Sequence, residues 1–202
     1  MNNTGHRLVL ASASPRRRQI LESLQAVFEV RGAAIPEERL DGEAPEQMVA
    51  RLAEEKARAV ARVLQREAIV LGADTAVVLD SEVYGKPESQ ADALRMLAQL
   101  SGRTHRVLSG VALVAAGETS RAISETEVRF RDIHPDEALR YWQSGEPRGK
   151  AGAYAIQGFG GLFVESIMGS YSGVVGLPVF ETAGLLSAAG YELLPGTGQQ
   201  DE

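Results

Sequence analysis

Three lysines stand out in a chain that otherwise uses arginine as its basic residue. Of the 21 basic residues, only Lys56, Lys86 and Lys150 are lysines. A lysine ammonium is a compact charge with rotatable donors and a pKa that shifts readily, which arginine does not reproduce. Lys56 also falls on the apolar side of a predicted helix, so its amine either reaches past apolar surface to water or points into a pocket. Position alone leaves both alternatives open, and retention of the lysines by chance competes with a functional explanation.

A second cationic group follows the apolar run in LVLASASPRRRQIL, residues 8–21. A helix is predicted to begin at Pro15, which puts Arg16, Arg17 and Arg18 in its first turn. Cations there face the positive end of the helix dipole, at a cost of about 0.3 to 1 kcal/mol each. Small residues, free N–H groups at a helix start and guanidinium groups together suit phosphate oxygens. We therefore predict a polyphosphate site at this turn, with a solvated basic patch as the alternative.

A candidate catalytic carboxylate lies at the end of a predicted strand. The run AIVLGAD, residues 68–74, predicts a buried strand that ends at Asp74. In open α/β folds ligands bind at the carboxyl ends of the strands, which would make Asp74 a candidate catalytic residue. Aspartate at a strand end also commonly caps or turns the chain. The tripeptide Gly85-Lys86-Pro87 is by itself only a turn.

Composition excludes several kinds of site. The chain has no cysteine, which rules out disulfides and thiolate nucleophiles. His6, His105 and His134 are scattered, so a bound metal is expected to be a hard cation held by oxygen. The net charge of −6 argues against a protein that coats nucleic acid. No phosphate-binding loop, dinucleotide fingerprint or G-x-S-x-G elbow is present.

Buried strands alternate with amphipathic helices along the chain. Strands are predicted at 7–12, 28–30, 68–74, 104–116 and 124–133, with a hairpin over 75–87 that turns at Asp80-Ser81. Helices are predicted from Pro15, over 46–65, 88–99 and 135–144, and from near Pro178 to 189. The glycine-rich stretch 149–178 interleaves aromatic residues, which indicates ordered loops rather than a linker. The pattern predicts an α/β fold with a mixed central sheet flanked by helices.

The chain is expected to form one domain over residues 1–202, with an ordered core at about 7–190 and a frayed tail at 195–202. It contains no apolar run long enough for a membrane span and no recognisable secretory signal. We therefore expect a cytoplasmic protein without a membrane partner.

Seven short motifs in order resemble the Maf family of nucleoside triphosphate pyrophosphatases over residues 8–188. They are SASPRR, the EKA around Lys56, GADT at 72–75, GKP at 85–87, SGRTHRV at 101–107, KAGAYAIQG at 150–158 and GSYSGVVGLP at 169–178. The resemblance implies an α/β fold similar to the inosine triphosphate pyrophosphatases, with a cleft between two lobes and commonly a homodimer. It also implies hydrolysis of a nucleoside triphosphate to monophosphate and pyrophosphate with Mg²⁺, Mn²⁺ or Co²⁺.

Three positions are similar to the family branch that acts on dTTP and UTP. That branch has SPRR, GADT and IQG, and this chain has Arg16, Thr75 and Gln157 in those motifs. The branch acting on 7-methyl-GTP typically has a bulky aromatic at the first position, GSDQ and SEG instead. The resemblance therefore implies that Arg16, Thr75 and Gln157 select the base. A glutamine amide suits this task because it offers both a donor and an acceptor to a pyrimidine edge.

The same resemblance assigns the chemistry. Asp74 would be the general base, or the carboxylate that holds metal and the attacking water. Ser12, Arg17, Lys56 and Lys86 would bind the phosphates and stabilise the leaving pyrophosphate. The acidic loop IPEERLDGE matches the family more loosely, and Glu37 is carried over from it as a substrate and metal ligand alongside Asp74.

Two other functions remain open on the sequence. One keeps the fold and changes the preferred base to a modified pyrimidine or a purine such as inosine. The other is a regulator of septum formation that senses nucleotide without turnover, since the family name derives from an association with septum formation. Retention of Asp74 together with all three lysines favours an enzyme.

Overall fold

The computed structural model describes residues 7–64 and 68–194, and its centre is one mixed seven-stranded sheet. The strand order is β2-β1-β3-β5-β6-β7, with β4 paired to β3. The strands are β1 (Arg7–Leu10), β2 (Phe28–Val30), β3 (Ala68–Leu79), β4 (Glu82–Tyr84), β5 (Thr104–Ala115), β6 (Glu118–Phe130) and β7 (Val164–Met168). The pairs β1–β2 and β1–β3 are parallel, and the other pairs are antiparallel.

Helices flank this sheet, which confirms the predicted α/β class with a mixed sheet. They are α1 (Pro15–Ser23), α2 (Pro45–Val63), α3 (Gln90–Leu100), α4 (Pro135–Gln143), α5 (Tyr171–Val175) and α6 (Val179–Ala188), with 3₁₀ turns at Ala151–Ala153 and Phe159–Phe163. The predicted helices all appear within a few residues of their expected bounds. The glycine-rich stretch, for which loops were predicted, contains strand β7, the short α5 and the two 3₁₀ turns, because pairing with β6 makes a strand of Val164–Met168. Residues 65–67 and the tail 195–202 lie outside the described residues.

The prediction that a strand ends at Asp74 is wrong. Strand β3 continues through Asp74 to Leu79, because its pairing with β5 runs without interruption from Val70 opposite Val114 to Val78 opposite Arg106. Asp74 faces Gly110 in the middle of this ladder. A carboxylate at mid-strand is unusual, so its surroundings must supply the compensation that burial of a charge requires.

Helix α2 packs directly on the backbone of the two central strands. A Cβ atom on Gly72 would lie 2.2 Å from the carbonyl oxygen of Ala53, and one on Gly110 would lie 2.4 Å from that of Val49. Both glycines are therefore required by close approach rather than by a special backbone angle. Because side chains alternate along a strand, Asp74 shares the face of Gly72 and points toward α2.

The edge of β3 that carries Asp74 is open over a short stretch. Parallel pairing with β1 ends at Leu71, and antiparallel pairing with β4 begins at Val77. Among the described residues, no strand pairs with this edge between those two points. The chain leaves β1 there and turns into α1, so the carboxyl end of β1 opens beside the middle of β3.

The core lies on both faces of the sheet. Fully buried leucines at positions 8, 21, 71 and 186 pack beneath α1 and α6, and an aromatic group around Phe130 and Tyr154 fills the space near α3 and α4. Within the described ranges, none of the helices has the length and apolar character that crossing a membrane would require.

Candidate active site

A cavity of about 1000 Å³ opens at the gap along β3. Its lining comes from the end of β1, the first turn of α1, the middle of β3, the strand β4 and residues 149–151. The predicted site residues that line it are Ser12, Arg16, Arg17, Glu37, Lys56, Asp74, Thr75 and Lys86. Gln157 is the exception, since it is exposed and does not contribute to the lining.

A chain of alternating charges crosses the cavity. The ammonium of Lys56 donates to Oδ1 of Asp74 at 2.7 Å and lies 2.6 Å from Oε1 of Glu37. The other oxygen of Glu37 accepts from Lys86 at 2.9 Å. Lys56 and Asp74 are buried, at 5% and 8% exposure, whereas the Lys86 side chain is 62% exposed. Of the two alternatives for Lys56, the amine that points into a pocket is therefore the one observed.

Glu37 is held ionised by its two lysines. Partial burial acts to raise its pKa, but hydrogen bonds from Lys56 and Lys86 outweigh this effect and lower the pKa to about 2. Its carboxylate meets two ammonium groups at positions that also suit a phosphate oxygen.

The loop that carries Glu37 is fastened to α2 by an arginine fork. Two guanidinium nitrogens of Arg51 donate to the two carboxylate oxygens of Glu43, at 2.6 and 2.8 Å. Arg51 also donates to the carbonyl of Glu38 at 3.0 Å, next to Glu37 in the chain. Sequence reasoning missed Arg51 and Glu43. Their eight-residue separation across a loop and a helix start carries no recognisable signal.

The first two arginines of α1 contact the carbonyl end of α5. Arg17 donates through Nε to the carbonyl of Gly176 at 2.7 Å, and Arg16 donates through Nε to that of Val175 at 3.1 Å. Carbonyls at a helix end lack partners within the helix and offer negative partial charge. These carbonyls offset part of the unfavourable interaction between the two cations and the positive end of the α1 dipole. Arg18 instead pairs with Glu22 in solvent at 2.7 Å.

Arg17 is almost fully buried and has several partners. Its terminal nitrogens donate to the hydroxyls of Ser12 and Thr75, each at 3.1 Å. Desolvation lowers the pKa of Arg17, while the charge of Asp74 opposes this shift. The guanidinium is thus fixed in orientation at the cavity wall.

Thr75 belongs to the same network. Ser109 uses its only hydroxyl proton to donate to the carbonyl of Gly173 at 2.7 Å. The hydroxyl of Thr75 lies 2.9 Å from that of Ser109 and 3.4 Å from the carbonyl of Gly176, its two possible acceptors, and it accepts from Arg17. Thr75 is thereby linked directly to Arg17, and the base contact that the resemblance implies for it stays a prediction.

Lys150 lines the same cavity although the sequence assigned it no separate role. Its amine donates to the carbonyl of Arg148 at 3.3 Å. Burial lowers its pKa, and the charge of Arg16 acts in the same direction. All three lysines of the chain therefore line the same cavity.

The carboxylates of Asp74 and Glu37 suit a hard divalent cation in part. Magnesium is commonly held by one or two carboxylates together with substrate phosphates and water. Both carboxylates reach the same ammonium of Lys56, so they lie close enough to share a ligand. Within residues 7–64 and 68–194, no cluster of three or more metal-binding side chains is present. The donor set therefore fits a cation that arrives with its substrate, and it does not fit a resident all-protein site.

Comparison with known proteins identifies the class. The sequence profile described as Maf-like protein matches residues 7–189. The chain therefore belongs to the Maf family, as its motifs indicated.

Two curated relatives are close. A dTTP/UTP pyrophosphatase of Vibrio cholerae is 49% identical over 180 residues, covering 89% of this chain and 96% of its own length. A dTTP/UTP pyrophosphatase of Methylococcus capsulatus is 50% identical over 184 residues, 91% of each chain. Among solved structures, a nucleoside-triphosphatase described as a dITP/XTP pyrophosphatase from Mycobacterium abscessus is 18% identical, with a TM-score of 0.42, and the match covers 63% of this chain and 75% of that one.

Proposed function

We propose that this protein hydrolyses dTTP and UTP to the nucleoside monophosphate and pyrophosphate, and so removes excess or non-standard pyrimidine nucleotides. The observation that carries the proposal is the buried Lys56–Asp74 pair inside a cavity whose walls also hold Lys86 and three arginines, Arg16, Arg17 and Arg39. Such a cavity offers a general base and several cations to one polyanion. The names of the two curated relatives supply the choice of substrate.

The reaction is a displacement at the α-phosphorus. Asp74 accepts a proton from a water molecule while the water oxygen bonds to phosphorus. The bond between the α-phosphorus and the bridging oxygen breaks, and its electron pair leaves with pyrophosphate. Lys56 is held against Asp74 at 2.7 Å, so the attacking water and the positive charge lie in one small region.

Cations balance the charge that develops on the leaving group. Lys56, Lys86 and Arg17 bind phosphate oxygens, and Ser12 contributes its hydroxyl and holds Arg17. Charge stabilisation of this kind is often the largest single contribution to catalysis. The Lys86 ammonium donates to Glu37 at 2.9 Å, and its two other N–H groups are available to a phosphate oxygen.

Base selection is assigned to Arg16 and Gln157. Arg16 lines the cavity, and Gln157 follows Tyr154, another lining residue, by three positions. The glutamine amide would pair with the polar edge of the pyrimidine at the rim of the cavity.

A divalent cation, Mg²⁺, Mn²⁺ or Co²⁺, is part of the proposal, with Asp74 and Glu37 as its protein ligands. When bound, it would neutralise phosphate charge and make water a better nucleophile. Removal of the cation with a chelator should stop pyrophosphate release, and its return should restore it.

We propose one catalytic domain that spans the chain, with two lobes around the cavity, assembled as a homodimer. We also propose a cytoplasmic location, where nucleoside triphosphates are available, and neither nucleic acid nor membrane as a partner. The negative net charge of −6 supports the absence of a nucleic-acid partner. Light scattering at several protein concentrations would test the dimer.

Hydrolysis in ¹⁸O-labelled water tests the position of attack. Attack at the α-phosphorus puts the label in dTMP and leaves pyrophosphate unlabelled. Label in pyrophosphate, or release of inorganic phosphate and dTDP, would contradict the proposed reaction.

A further inference from the structure

The segment that carries Gln157 is held by two side chains that no part of the proposed chemistry uses. Tyr141 lies near the end of α4, and Glu146 lies in the turn that follows. The phenol of Tyr141 donates to Oε1 of Glu146 at 2.7 Å. The same phenol oxygen accepts the backbone N–H of Ala155 at 3.0 Å.

The carboxylate of Glu146 binds the other end of this segment. Its Oε2 accepts from the backbone N–H of Phe159 at 2.9 Å, and its Oε1 accepts from that of Gly160 at 3.0 Å. Gln157 thus lies between attachment points at residues 155 and 159–160. Hydrogen bonds to an ionised carboxylate are stronger than those between neutral groups.

Two glycines permit this close approach. A Cβ on Gly158 would lie 2.1 Å from Oε2 of Glu146, and one on Gly160 would lie 2.6 Å from the hydroxyl of Tyr141. Neither glycine has the positive φ that would by itself call for glycine. Contact with Glu146 therefore accounts for glycine at 158, and contact with Tyr141 together with the backbone of Ala155 accounts for it at 160.

Charge and burial keep both groups in the states that these bonds need. Burial raises the pKa of Tyr141, as does its bond to Glu146, so the phenol keeps its proton. Burial acts to raise the pKa of Glu146, but hydrogen bonds from Gly160, Tyr141 and Phe159 outweigh it and the pKa falls. The site thus pairs a protonated donor with an ionised acceptor.

We infer that Glu146 and Tyr141 are positioning residues for base recognition, which hold the 155–160 segment so that Gln157 meets the nucleobase. This inference rests on the proposed function, because it assumes that Gln157 contacts the base. Neither residue lines the cavity. Their loss should weaken base binding and base discrimination and leave the phosphate chemistry in place.

The test compares Tyr141→Phe, Glu146→Gln and Glu146→Asp with the wild type and with Glu165→Gln, an exposed carboxylate on β7. Tyr141→Phe keeps the ring that packs against Phe163 at 5.1 Å, so the core should survive. Steady-state kinetics with dTTP and dCTP give KM and kcat. Inhibition by dTMP reports on the base site, and inhibition by pyrophosphate reports on the phosphate site alone.

We expect Tyr141→Phe and Glu146→Gln each to raise KM for dTTP about tenfold, the size of effect that a lost charged hydrogen bond produces, and to change kcat less than about threefold. The preference for dTTP over dCTP should fall, inhibition by dTMP should weaken, and inhibition by pyrophosphate should be unchanged. Glu146→Asp should recover part of the loss, and Glu165→Gln should match the wild type.

Unchanged base preference in both variants, or equal losses for dTTP and pyrophosphate binding, would overturn the inference while the proposed function stands. A wild-type protein that releases no pyrophosphate from any pyrimidine triphosphate would overturn both.

Discussion

The ammonium of Lys56 lies 2.7 Å from Oδ1 of Asp74, and both side chains are buried. One comes from the apolar face of α2 and the other from the middle of β3. Close packing of α2 on Gly72 brings the two elements together. The pair therefore depends on the packing of the fold as well as on the two residues.

Lys56→Met and Lys86→Met should have different effects on stability. Loss of Lys56 leaves the buried carboxylate of Asp74 without its closest cation, which costs on the order of 3 kcal/mol in the free energy of unfolding. Lys86 is largely exposed, so its loss should cost less than about 0.5 kcal/mol. Both variants should lose about 100-fold or more in kcat/KM, because each removes a cation from the phosphates. Urea unfolding and pyrophosphate release measure the two effects. Equal stabilities of the two variants would contradict the burial argument.

Gly72→Ala should disturb the Lys56–Asp74 pair without changing either residue of it. The new methyl group would meet the backbone of α2, which cannot move aside as a flexible side chain does. We expect a loss of about 1 to 3 kcal/mol in stability together with reduced activity. Gly184→Ala, on α6 and outside the cavity lining, is a suitable control, since its added Cβ meets no atom within 4 Å. A stable and fully active Gly72→Ala protein would show that α2 need not sit so close to β3.

Glu37→Gln should remove one pH-dependent contribution to the stability of the fold. The pKa of Glu37 in the folded protein is lowered to about 2 from an ordinary value of 4.5. A depressed carboxyl pKa stabilises the fold above pH 4.5, and this contribution is lost as the pH falls from 4.5 toward 2. The stability difference between wild type and Glu37→Gln should therefore be constant near neutral pH and shrink below about pH 4.5. Glu38→Gln, its neighbour, is the control. A difference that persists unchanged at pH 3 would contradict the paired carboxylate.

Thr75→Val tests whether Thr75 positions Arg17 or reads the base. The substitution keeps the shape of the side chain and removes the hydroxyl that accepts from Arg17. We expect kcat/KM to fall about tenfold, by similar factors for dTTP, UTP and dCTP, and Thr75→Ser to retain most activity. A selective loss for one base would instead assign Thr75 to base recognition.

Sequence patterns predicted the elements well and the site only in part. Apolar runs and helix starts located the strands and helices, because period and capping are local properties. The motifs marked Lys56, Asp74 and Lys86, and the structure brings all three to one cavity. The direction of the Lys56 amine could not be predicted, since it depends on what lies beneath α2.

Features that arise from distant pairing escaped prediction. The continuation of β3 past Asp74 depends on its distant partner β5, which it pairs from Thr75 opposite Ser109 to Val78 opposite Arg106. The contacts of Arg17 with the end of α5 span 159 positions. The bond between Arg51 and Glu43 fastens the loop that carries Glu37, and no sequence pattern in that loop predicts this bond.

The most direct test of the central claim is pyrophosphate release from a panel of nucleoside triphosphates by the wild type and Asp74→Asn, with Asp80→Asn as control. Asp80 is an exposed aspartate with a positive φ that asparagine also tolerates. We expect the wild type with Mg²⁺, Mn²⁺ or Co²⁺ to prefer dTTP and UTP, Asp80→Asn to match it, and folded Asp74→Asn to lose at least about 100-fold in kcat. No turnover of any triphosphate by the wild type, a strong preference for 7-methyl-GTP, or full activity in Asp74→Asn would contradict the account.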